Sequence, residues 1–172
     1  MVVSLIEKLA NGSSCRQKII IAAIDKNNLI GAGDALPWHI PEEYQQFLDF
    51  IAGNTVIWGR ITWTLFSKIP PSKNNLVLSY EQLYLPGAQV VTSIAEAFRI
   101  AETFSQDIFI AGGASVYRQT LHLVDKLYLS VIHGEYSGDV YFPVFDPADW
   151  IVETHTAFER YDFLIYKAKS SV

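Results

Sequence analysis

The sequence is poor in the residues that build covalent or metal-bound frameworks. Its 172 residues include one cysteine, Cys15, which cannot close a disulfide within the chain, and four histidines, His39, His122, His133 and His155. None of them shows H-x-x-x-H or cysteine-paired spacing, so no metal site is expected. Positive charge is also scarce. Lys and Arg number 13 against 18 Asp and Glu, a formal net charge of −5, and no basic cluster offers the footprint that nucleic acid or an anionic membrane needs. No apolar run reaches the roughly 18 residues that would cross a bilayer. The expectation is a cytoplasmic monomer whose partner is a small molecule. What is abundant is apolar side chain, 50% of the residues, enough at this length for one domain to bury about 70% of its unfolded surface.

Residues 1–18 read as an N-terminal extension and 19–172 as the domain, because Glu7 and Lys8 interrupt the apolar start before a secretory core could form. Ile19–Ile24 is a continuous apolar run bounded by Asp25-Lys26-Asn27-Asn28, the pattern of a central strand covered on both faces. Shorter runs follow at Thr55–Gly59, Asn75–Ser79, Gln89–Thr92, Ile108–Ala111 and Lys126–Ile132, with helical stretches between most of them. Ser93-Ile94-Ala95-Glu96 is a capping box predicting a helix through Phe104. Ile151–Phe158 and Tyr161–Ala168 read as a closing antiparallel hairpin. The fold class is therefore α/β, a mostly parallel sheet of about eight strands flanked by about four helices.

Asn27–Pro41 leaves the carboxyl edge of the first strand, where ligands of open α/β sheets bind. Gly31 and Gly33 with Leu36-Pro37-Trp38 suit a lid, although a long loop anchored by its Trp fits equally well. The helix opened by Pro41 carries Glu42 and Glu43. Glu43 shares a side with Phe47, Phe50 and Ile51, whereas Glu42 aligns with Gln45, Gln46 and Asp49 toward water. A carboxyl aimed at the interior needs a partner or a ligand. A first-turn Glu could also cap the helix and reach solvent. Gly59-Arg60-Ile61-Thr62 and Gly112-Gly113 are strand-to-helix turns in which a backbone can approach a phosphate, and each also suits an ordinary tight turn.

Ile30-Gly31, Leu36-Pro37-Trp38, Pro41-x-Glu43, Phe47, Gly59-Arg60-x-Thr62-Trp63, Leu78-Ser79, Gly112-Gly113, Val116-Tyr117 and Gly138-Asp139-x-x-Phe142-Pro143 occur in one order. In that order and spacing, residues 19 to 168 resemble dihydrofolate reductase. The resemblance implies hydride transfer from NADPH to C6 of a 7,8-dihydropterin, with a proton delivered to N5. It implies Glu43, Trp38 and Ser130 as the proton-handling group, with Ser130 standing where Thr is more usual. It implies Ile21, Ala23, Phe47, Phe66, Lys73 and Ile132 as further substrate contacts. Cofactor contacts are implied at Ala23, Ile30, Gly31, Gly59, Arg60, Thr62, Leu78, Ser79, Gly112, Gly113, Ser115, Val116 and Tyr117. Asp139 would tie down the loop carrying Gly31.

Three departures qualify those implications. Lys73 stands where the family places an Arg that clamps the substrate's glutamate carboxylate, and a Lys pairs with it only as a point charge. Tyr80 and Glu81 follow Leu78-Ser79 where small or basic groups meet the 2′-phosphate of NADPH, and Ala114-Ser115 follow the glycine pair without a basic residue, leaving NADH as an alternative cofactor. A same-fold reductase of a non-glutamylated pterin or a riboflavin-pathway pyrimidine stays open. So does a non-catalytic pterin- or nucleotide-binding module.

Overall fold

A computed structural model describes residues 16–66 and 72–170, so Cys15 and nearly all of the expected extension lie outside the described residues. The fold starts at β1 (Lys18–Asp25), whose first residue belongs to the segment read as an extension. Ile19 and Ile21 enter one apolar cluster, while Ile20, Ala22 and Ile24 enter another. Alternate side chains point to opposite faces of a strand, so a run that is apolar throughout needs cover on both sides.

Strands β3 (Thr55–Gly59), β4 (Asn74–Leu78), β5 (Gln89–Val91), β6 (Ile108–Ile110), β7 (Lys126–Ile132), β9 (Trp150–Ala157) and β10 (Tyr161–Ala168) complete an eight-stranded sheet in the order β5-β4-β3-β6-β1-β7-β10-β9. Every pairing from β5 to β7 is parallel, and β10 runs antiparallel to β7 and β9. β1 is thus interior, and the C-terminal hairpin closes the sheet. Among the described residues four α-helices flank it: α1 (Pro41–Ile51), α2 (Arg60–Phe66), α3 (Ile94–Ala101) and α4 (Ala114–Thr120). None is long and apolar enough to cross a membrane.

A second, two-stranded sheet pairs β2 (Leu29–Gly31) with β8 (Val140–Tyr141). Its strands are too short for an apolar period to reveal them in sequence.

Helix α3 ends at Ala101 rather than Phe104, because the N–H groups of Thr103 and Phe104 turn back to the carbonyls of Ile100 and Ala101 in a tighter, three-residue pattern. At its start Ser93 Oγ accepts the Glu96 N–H at 3.1 Å, while the Glu96 carboxylate takes the N–H and hydroxyl of Thr92, one residue earlier than a capping box would place it. On α1, Gln46 is buried and accepts the Tyr161 hydroxyl at 2.9 Å, in place of the solvent-facing position expected for it. Burial against β10 widens the covered face of the helix. Glu42 does face outward, in a two-point pair with Arg160 at 2.7 and 2.6 Å.

Candidate functional site

Strand order places the carboxyl ends of β4, β3, β6 and β1 side by side. Gly59 lies opposite Leu78, and the Gly59 N–H donates to the Gly112 carbonyl at 2.6 Å, so the two glycine turns lie against one another. A Cβ on Gly59 would stand 3.1 Å from the Gly112 oxygen and the Gly113 nitrogen. Gly112 has φ +101 beside the Tyr117 ring, and the Gly112–Gly113 peptide is cis. The close approach at Gly59 and the positive φ of Gly112 both favour glycine.

A cleft of about 520 Å³ runs along this edge between α1, α2 and the loop after β2. Its lining contains Ile21, Ala23, Ile30, Gly31, Glu43, Phe47, Gly59, Arg60, Thr62, Phe66, Leu78, Ser79, Gly112, Gly113, Ser115, Val116 and Tyr117. Trp38, Lys73, Ser130 and Ile132 are outside the lining. Trp38 is buried, packed edge-to-face with Tyr136 at 5.2 Å between ring centroids, and among the described residues its indole N–H has no hydrogen-bond partner. Ser130 and Ile132 are buried on β7, with Ser130 opposite Ala23. Lys73 is exposed just before β4, at the end of that strand away from Ser79, and its N–H donates to the Asn54 carbonyl.

Part of the rim was not expected from the sequence. Tyr44, Ile61 and Leu65 are large, at least 38% exposed, and line the cleft beside Leu36, a residue of the candidate lid. Ile61 and Leu65 are four residues apart on α2, a spacing that marks a second apolar stripe beside buried Trp63. Such a concentration of exposed apolar surface around a concavity is typical of a ligand groove.

Glu43 is 9% exposed inside this largely apolar cleft. Burial pushes its carboxyl up to about 7; the Ser130 hydroxyl pulls the other way by hydrogen bonding, and neighbouring Glu42 adds to the rise. A carboxyl poised near neutrality can hold or release a proton under ordinary conditions. Tyr117, also pushed upward by burial, donates its hydroxyl to the Ile21 carbonyl at 2.8 Å and stays a neutral part of the wall.

The loop over the cleft is fixed from β8. Asp139 accepts the Gly33 N–H at 2.8 Å and donates its own N–H to the Gly31 carbonyl at 3.2 Å.

Fold and site together define an α/β protein with an elongated ligand cleft across four parallel strand ends and a single buried acid at one end. The dihydrofolate reductase family model matches residues 18–168. A dihydrofolate reductase of Bacillus subtilis is 35% identical over 159 residues, 88% of this chain and 94% of that protein. One from Neisseria gonorrhoeae is 37% identical, covering 76% of this chain and 82% of its own. The solved structure of dihydrofolate reductase from Enterococcus faecalis, complexed with NADP(H) and RAB-propyl, superposes with a TM-score of 0.81 at 27% identity, over 90% of this chain and 97% of that one. The chain belongs to the dihydrofolate reductase family.

Proposed function

We propose that the protein reduces 7,8-dihydrofolate to tetrahydrofolate with NADPH, and that Glu43 handles the proton. The observation that carries this is a buried carboxyl, held near neutrality, at one end of a cleft whose other end offers bare backbone and an Arg. The groups present fit a dinucleotide. Three strand spacings separate β4 from β1, about 14 Å, which suits an extended dinucleotide laid across the edge. Gly59, Gly112 and Gly113 would let diphosphate oxygens approach the main chain, with the Thr62 hydroxyl beside them and Arg60 farther along, toward the adenosine half.

NADPH, when bound, supplies the hydride for C6 of the pterin. The chain's residues do the rest. Ala23, Ile21, Phe47 and Phe66 form apolar walls that would exclude water and position the two rings for transfer. Glu43 hydrogen-bonds the pterin amino edge and, protonated, keeps a proton available for N5. Ser130 steadies the carboxyl from β7. The unpartnered indole N–H of Trp38 is suited to holding a water on the proton's path, since a buried N–H is rarely left unmatched.

A second reading, a pterin lacking the glutamate tail, draws on the exposure of Lys73: a carboxylate paired with it would sit in water and gain little. A cytoplasmic location is part of the same proposal and rests on the lone cysteine, which suits a reducing compartment. The test is oxidation of NADPH on addition of dihydrofolate, followed by loss of turnover in Glu43→Gln. Reaction with another pterin but not with dihydrofolate would favour the second reading.

A further inference from the structure

Glu81, which stands 21 residues after Arg60, reaches back to it in the cleft. Arg60 Nη1 and Glu81 Oε2 are 3.3 Å apart, and both residues are in the lining. Glu81 is held there by its own turn: Ser79 Oγ accepts the Glu81 N–H at 3.2 Å and donates to the Glu81 carbonyl at 3.1 Å. Among the described residues that line the cleft, Arg60 is the sole Lys or Arg, against the carboxylates of Asp34, Glu43 and Glu81. Among the described residues this part of the cleft thus has one cation, already paired.

From these positions we infer that Glu81 narrows the preference for NADPH over NADH by competing with the cofactor's 2′-phosphate for Arg60. The inference rests on the dinucleotide reading above. With the hydride-donating ring beside Ala23 and Glu43, and the diphosphate at the glycine turns of β3 and β6, the adenosine half falls at the ends of β3 and β4, where Arg60, Ser79 and Glu81 lie. A 2′-phosphate there must draw the guanidinium away from Glu81 and then remain next to that carboxylate. A 2′-hydroxyl does neither, and it can donate a hydrogen bond to the carboxylate. Because Arg60 and Glu81 are 49% and 69% exposed, their pair is weak enough to open, so NADPH still binds, with part of its advantage cancelled.

The test is equilibrium binding of NADPH and NADH, followed by cofactor fluorescence without substrate, to the unaltered protein, Glu81→Gln, Arg60→Gln and the double variant. Glu81→Gln should tighten NADPH by about three- to tenfold at low salt and leave NADH within about twofold. In the Arg60→Gln background most of that gain should vanish. Equal tightening of both dinucleotides, no tightening of NADPH, or a gain that persists in full without Arg60 would overturn the inference. Failure of the unaltered protein to bind either dinucleotide would overturn the functional reading along with it, whereas binding of both with no response to Glu81→Gln overturns this inference alone.

Discussion

A single carboxyl shows how one residue's surroundings set both stability and chemistry. Glu43 ordinarily titrates near 4.5 and is raised to about 7 by burial. The folded protein therefore holds more protons than the unfolded chain between those values, and stability falls as pH rises through that window. Glu43→Gln removes the charge that burial penalises. Its stabilising effect at about pH 8 should exceed that at about pH 5 by roughly 2–3 kcal/mol, read from urea unfolding at the two pH values, while turnover is lost. An equal effect at both would show that the carboxyl ionises freely in the fold. At the outer surface Lys73 supports a smaller expectation: Lys73→Arg lowers KM for a glutamylated substrate about two- to fivefold without changing KM for a tail-free pterin. An unchanged KM for the glutamylated substrate would remove this position from substrate reading.

Elements were legible where their residues carried a strong local pattern. β3 and β7 have the bounds that their apolar runs predict, because a strand covered on both faces reads as a near-continuous apolar run. The two-stranded β2–β8 sheet has no such pattern, and it is held by a few backbone bonds and the Asp139 carboxylate. This weak tie makes the loop over the cleft the sensitive element. Asp139→Ala should leave global unfolding nearly unchanged but increase hydrogen exchange at Gly33 and weaken NADPH binding several-fold. Intact protection at Gly33 would show that the pairing of β2 with β8 suffices. Ser93→Ala on α3 should cost about 1 kcal/mol, since it removes an N-cap acceptor, with no change in cofactor binding.

At the scale of the whole molecule, topology makes the site. Glu43 on α1, Arg60 after β3, Ser79 after β4 and the glycine pair after β6 are separated by up to 70 residues, and they meet because those parallel strands end on one edge. Spacing along the chain exposes the inward side of Glu43 and the need for glycine in the turns. It cannot expose the Arg60–Glu81 pair, the Ser130 contact from β7, or the orphaned indole of Trp38, all of which depend on strand order. Gln46 shows the limit in the other direction: helical periodicity assigns it to solvent, and the hairpin from distant sequence covers it.

The most direct measurement of the proton-handling role is the pH dependence of hydride transfer in single-turnover reactions with NADPH and dihydrofolate, using deuterated cofactor to isolate the chemical step. With Glu43 as the group that keeps a proton available for N5, the rate should level off at low pH and fall about tenfold per unit above roughly pH 7. A rate that stays constant from about pH 5 to about pH 9 would contradict that role.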